Sequence, residues 1–250
     1  MNFITILIYS LLFHFPSMSF KKADTRVFEL RIYHCNEGKL NDLIARFQNH
    51  TTKIFERHGM QNIGYWLPTA TDNNSMYYIL AYPDLASREA SWKAFGSDEE
   101  WQKVRTESEM NGKIVNKVES IYLNATDFSP AIKKSIKNPE RIFELRTYTC
   151  YPGRITALET RFRDHTVKLF KQHGMTNVAY WKTIEKDAAN TPKLVYILAH
   201  KSEAAAKKSF DDFRVDPKWV AARDKSESNG KIVEKVESVF MKPLPFSSIR

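Results

Sequence analysis

The chain has little of what usually announces a chemistry. It contains no Gly-rich phosphate loop, no nucleophile elbow and no paired-His metal motif, so the common sequence signatures of nucleotide, acyl-transfer and zinc chemistry are missing. The two candidate third strands, Met76–Tyr82 and Leu194–His200, lack the Lys/Arg-Gly-Phe core of an RNA-binding sheet. No segment is low in complexity. Only two cysteines occur, Cys35 and Cys150. An exported protein could pair them, but a disulfide needs Cα atoms within about 7 Å, and two buried or strand-end thiols are the expectation. After the first twenty residues no long apolar run remains. That first stretch, Ile4–Phe15, is apolar and is followed by Pro16-Ser17-Met18-Ser19. Its small residues suit cleavage after Ser19, although the region before it carries no Lys or Arg. At about 12 residues it is too short for a membrane span. The expectation is a leader over residues 1–19, a periplasmic or secreted product and no stable membrane span once the leader is removed.

What the chain does have is a repeat. Phe28-Glu29-Leu30-Arg31 recurs as Phe143-Glu144-Leu145-Arg146, His58-Gly59-Met60 as His173-Gly174-Met175, and Tyr65-Trp66 as Tyr180-Trp181, always 115 residues apart. After a short insertion the offset becomes 118, and Asn111-Gly112-Lys113-Ile114-Val115 matches Asn229-Gly230-Lys231-Ile232-Val233. About half the positions of the first block are identical between copies, and the insertion falls in a polar segment where loops accept length changes. With 250 residues, 42% hydrophobic content and 16 Phe, two domains of common size can each pack a core. The net charge of +9 is spread along helices among Glu and Asp. The nearest basic run is Lys133–Lys137, so a solvated basic surface is expected rather than a nucleic-acid site.

Each copy reads in the same order. Val27–His34 and Ile142–Thr149 alternate as strands. Apolar residues at helical spacing follow, Leu40 to Phe55 and Ile155 to Phe170, and stop at His58-Gly59 and His173-Gly174. Two strands come next, then a helical region that Asp84 and Ser202 can cap and that Ser97-Asp98 or Asp216-Pro217 restarts. A last strand ends near Leu123 and Met241. This is βαββαβ twice, an α+β chain of two ferredoxin-like units over 26–124 and 141–242, joined by a linker over 125–140. Such a sheet has helices on one face only. Two copies in one chain can cover each other's open faces, sheet to sheet, as a barrel.

Phe-Glu-Leu-Arg-x-Tyr, then a helix ending in His-Gly-Met, then Asn-x-x-Tyr-Trp, resembles the NIPSNAP family, of the dimeric α+β barrel superfamily. The resemblance covers both copies, in the manner of the exported bacterial two-repeat type. It implies the intrachain barrel. It implies function weakly, because relatives in the superfamily include monooxygenases and haem enzymes, and fold does not carry a reaction with it.

Strand alternation places Glu29, Arg31 and Tyr33 on one face and Phe28, Leu30 and Ile32 on the other. With the apolar set under the helices, the polar set and its copy Glu144, Arg146 and Tyr148 would face the lumen. There they could bind a small polar or anionic ligand or serve as acid and base. The competing reading is a structural Glu–Arg pair, since buried charges must be paired. Tyr65-Trp66 and Tyr180-Trp181 should each send one ring into the lumen, for packing or for stacking on a ligand. His50 and His165 fall on the apolar stripe of their helices and read as core histidines; His58 and His173 suit helix C-termini. None of these four would reach a lumenal haem, and no cofactor is expected. His200, opposite Tyr82 of the first copy, is the exception that could reach the lumen. Three function classes stay open: a small-molecule binder, a cofactor-independent monooxygenase-type enzyme, and an interaction module with a filled lumen. Further association of such units is open too. A sizeable pocket would favour the first two.

Overall fold

In the computed structural model, residues 24–136, 140–185 and 192–250 are described; the expected leader lies outside them. The elements of the first half are β1 (Val27–Cys35), α1 (Leu40–Arg46), a π-helical turn (Phe47–Thr51), α2 (Thr52–Arg57), β2 (Gln61–Pro68), β3 (Ser75–Tyr82), α3 (Leu85–Gly96), α4 (Glu99–Ser108) and β4 (Val115–Ala125). The second half repeats them as β5 (Ile142–Cys150), α5 (Ile155–Arg161), a π turn (Phe162–Thr166), α6 (Val167–Gln172), β6 (Thr176–Thr183), β7 (Lys193–His200), α7 (Glu203–Arg214), α8 (Pro217–Ser226) and β8 (Val233–Pro243). Asp84 and Ser202 cap α3 and α7 as expected, accepting from Ser87 N at 2.6 Å and Ala205 N at 3.1 Å.

The two sheets close into one eight-stranded barrel in the order β1-β3-β2-β8-β5-β7-β6-β4. The seams are short. β2 meets β8 through Trp66↔Pro243, Leu67↔Lys242 and Pro68↔Met241, and β4 meets β6 through Leu123↔Thr183, Asn124↔Lys182 and Ala125↔Trp181. Three hydrophobic cores result. The lumenal one holds Phe28, Leu30, Ile32, Trp66, Phe143, Leu145 and Trp181. One further core lies between sheet and helices in each half. Burying each of these lumenal side chains contributes roughly 1.5–3 kcal/mol.

Repeat equivalence continues past the last strands. Thr126 N donates to Tyr180 O at 3.0 Å and Ser129 Oγ accepts from Tyr180 N at 3.0 Å. In mirror fashion Leu244 N donates to Tyr65 O at 2.9 Å and Ser247 Oγ accepts from Tyr65 N at 3.0 Å. Each repeat's tail therefore holds the opposite half. The tails then return over the strand starts, where Arg26 donates to Ile132 O and Arg141 to Arg250 O. Ile132 and Ile249 join the lumenal core. This end of the barrel is shut.

Two expectations are corrected here. His50 and His165 are exposed, whereas Thr51 and Thr166 are buried. The π turn inserts one residue into each helix, so the face rotates past the position that an uninterrupted 3.6-residue period predicts. Thr51 and Thr166 hydroxyls donate five residues back, to Arg46 O and Arg161 O. The second correction concerns which strand face meets the lumen, and it decides where the site is.

Candidate functional site

Phe28, Leu30 and Ile32 face the lumen, and Glu29, Arg31 and Tyr33 face the helices. The same inversion holds for Glu144, Arg146 and Tyr148. Tyr65, Tyr180 and His200 also lie on the helix side, and only Trp66 and Trp181 of the residues expected in the lumen are there. On the helix side each carboxylate has its donors. Glu29 is fully buried and needs several hydrogen bonds to remain ionised. Helix α3 provides Arg88 Nη2 at 2.8 Å and Nε at 3.1 Å and Trp92 Nε1 at 3.1 Å, and the same sheet face provides Tyr82 OH at 3.0 Å, Ser120 Oγ at 2.6 Å and Arg31 Nη1 at 2.6 Å. Burial alone would raise the carboxyl pKa; the Arg88 hydrogen bonds, the charge of Arg31 and the Ser120 hydroxyl outweigh it and bring it to about 2. Glu144 accepts from Arg146 Nη1, from His200 Nε2 at 3.1 Å and from Ser238 Oγ at 2.6 Å. Its pKa is lowered as well, burial being outweighed chiefly by His200 and Arg146. These two clusters are the structural ion pairs of the competing reading. Tyr65 and Tyr180 donate to Asn62 and Asn177, which in turn donate to Thr52 O and Val167 O on the helices, so the Asn-x-x-Tyr motif ties strand to helix.

The barrel is open at the end opposite the tails. A half-enclosed cavity of about 590 Å³ enters the lumen there and borders neither Glu-Arg-Tyr set. Its wall is apolar and comes from both halves, with Leu30, Ile32 and Tyr77 against Leu145, Val195 and Val239. Its mouth is polar and carries His34, Glu119, Thr183, Glu185, Lys193 and Glu237. This volume falls within the roughly 300–1,000 Å³ common for small-molecule sites.

His34 was missed in the sequence because it follows an apolar lumenal series at a strand end. It continues the Leu30–Ile32 face and pairs in register with Ser75. Its Nδ1 lies 2.8 Å from Ser75 Oγ and its Nε2 2.9 Å from Glu119 Oε1. In a neutral ring Nε2–H donates to the carboxylate and Nδ1 accepts from the hydroxyl. Lys117, and with it His34, holds the Glu119 carboxyl below its ordinary pKa. Burial pushes the Tyr77 phenol up. In the second half the equivalent places are Thr149, Lys193 and Glu237. The mouth therefore joins one histidine wall to one lysine wall.

Cys35 and Cys150 are free thiols, and burial pushes both up to about 11. His58 and His173 pair with the N-cap aspartates of α4 and α8, Asp98 at 2.7 Å and Asp216 at 2.8 Å. Among the described residues no group of three or more His, Cys, Asp or Glu is placed to hold a metal, and no helix is long and apolar enough to cross a membrane.

The repeat, the closed barrel and its helix-side ion pairs together define a tandem, intrachain α+β barrel of the dimeric α+β kind. The NIPSNAP family model matches residues 28–130 and 143–248, and the chain belongs to that family. No curated protein matches its sequence. Among solved structures it is similar to a putative monooxygenase from Fusobacterium nucleatum, at 10% identity and TM-score 0.60, covering 88% of this chain and 93% of that one. A putative monooxygenase from Lactobacillus acidophilus is similar at 12% identity and TM-score 0.57, with 88% and 94% covered. An uncharacterized NIPSNAP domain protein from Burkholderia xenovorans matches 42% of this chain over 98% of its own, at 23% identity and TM-score 0.37. The first two likenesses establish the fold.

Proposed function

We propose that the protein binds a small, mainly apolar molecule in the open end of its barrel, with the molecule's polar end at the His34–Lys193 mouth. The observation that carries this reading is the half-enclosed cavity of about 590 Å³ lined by both repeats. The apolar wall supplies affinity and the few polar groups at the mouth fix orientation. Its place moves from the Glu-Arg-Tyr sets to a wall that includes Leu145 and Val195. The test uses the neutral fluorescent probe N-phenyl-1-naphthylamine. The intact protein should bind it saturably, and Leu145→Trp, which fills the cavity, should abolish binding while Met110→Ser on the exposed surface leaves it unchanged. Equal binding by Leu145→Trp, in a protein that retains its fold, would sink the reading.

A second reading is favoured by one observation, the His34 imidazole held between Ser75 and Glu119 at the cavity mouth. It is an enzyme of the type that the names of the two putative monooxygenases suggest. His34 would take a proton from an acidified C–H of the bound molecule. Dioxygen would then accept the electrons, converting a CH₂ to a carbonyl and releasing water, which balances one O₂ per substrate. Dioxygen uptake that follows substrate, and that falls in His34→Thr with binding retained, separates this enzyme from a binder.

A further inference from the structure

Resting on the lumenal reading above, we propose that the ligand is an amphiphilic monocarboxylate whose carboxylate is anchored by Lys193. Of the ionic groups around the mouth, every one but Lys193 has a partner. Glu119 accepts from Lys117 at 2.8 Å and lies against His34, Glu237 accepts from Lys235 at 2.7 Å, and Glu185 accepts from Thr183 Oγ1. The Lys193 ammonium has no hydrogen bond or ion pair among the described residues; only its backbone N is engaged, donating to Thr183 Oγ1 at 2.9 Å. Strand parity fixes its direction. Lys193 shares a face with Val195, Ile197 and Ala199, which belong to the lumenal core, so the ammonium stands over the apolar wall rather than on the outer surface.

The ion pairs agree with this choice. Among the described groups around the mouth, Glu119 and Glu237 are held by Lys117 and Lys235, so neither carboxylate occupies Lys193. A ligand carboxylate on Lys193 gives the free ammonium its counter-ion, and its apolar body lies along Leu145 and Val195. A neutral ligand would leave the ammonium as it is. An amine would compete with Lys117 and Lys235 for carboxylates already engaged. The first half holds Ser75 at the equivalent position, so the anchor belongs to one wall only and gives the ligand one orientation.

The experiment displaces N-phenyl-1-naphthylamine from the full chain with octanoate, octanol and octylamine. Octanoate should compete best, and octylamine worst. Lys193→Met should weaken octanoate roughly tenfold, as expected for loss of a charge-assisted hydrogen bond, and leave octanol unchanged. Lys193→Arg should restore octanoate. In the wild-type chain, raising the salt concentration should weaken octanoate alone, a readout that needs no variant. Equal affinity for octanoate and octanol in low salt, or tighter binding of octylamine, would overturn the anchor while leaving a lumenal site in place. Failure of the probe itself to bind would instead overturn the lumenal reading beneath it.

Discussion

The two halves solve one burial problem with different numbers of groups. Glu29 receives six hydrogen bonds from five side chains, whereas Glu144 receives three from three. Arg88 and Trp92 of α3 are replaced in α7 by Ala206 and Phe210, and the guanidinium of Arg146 stacks on Phe210 where that of Arg31 stacks on Trp92. His200 stands where Tyr82 donates. The Glu–Arg pair is thus the common structural element. What surrounds it drifts, provided the carboxylate keeps enough donors. At the mouth the difference is of another kind, His34 and Ser75 against Thr149 and Lys193.

The comparison breaks most severely at Glu29. Glu29→Gln leaves Arg31 and Arg88 buried without their counter-charge and should cost about 3–5 kcal/mol of unfolding free energy by urea titration. Glu144→Gln strands only one arginine and should cost about 2–3 kcal/mol. Equal losses would show that the extra donors around Glu29 are idle.

Acid sharpens the same contrast. The folded-state pKa of Glu29 is depressed to about 2, below the unfolded value of about 4.3. Its contribution is therefore fully present above pH about 4.5 and is lost as pH falls towards 2. Unfolding free energy should drop over that window in the wild-type chain and drop less in Glu29→Gln. An unaltered slope in the variant would assign the acid sensitivity elsewhere.

Next in size is Gly64. A Cβ there would sit 2.1 Å from the buried Trp66 ring, yet the second half carries Ala179 at that place. Gly64→Ala should cost about 1–3 kcal/mol through overpacking, and it should perturb near-ultraviolet circular dichroism. A neutral result would mean that the Trp66 ring shifts freely. The smallest effect is expected at the caps. Asp98 pairs with His58 and Arg57, Asp216 with His173 alone. Asp98→Ala should therefore lower the thermal midpoint more than Asp216→Ala, each variant losing an N-cap as well as its pairing.

Much of the fold was legible. The doubled motif fixed the repeat, alternation and helical spacing gave each unit's element order, and the uncovered sheet face led to the barrel. The site was not, because alternation separates two faces without saying which is which when both are buried. In the first half the helix donors Arg88 and Trp92 lie some sixty positions after Glu29, where no local pattern links them to it. The π turns misled in a similar way. A single inserted residue leaves the apolar spacing readable and moves His50 and His165 out of the core. Adjacent strand residues must diverge, so one ring of each Tyr-Trp pair turns inward as expected, and it is Trp66 and Trp181.

On the proposed lumenal reading, the exchanged tails bear on how a ligand comes and goes. With Ile132 and Ile249 shutting one end, entry and departure share a single door. Under that reading a bound molecule must leave before another arrives, so two ligands should compete by mutual exclusion.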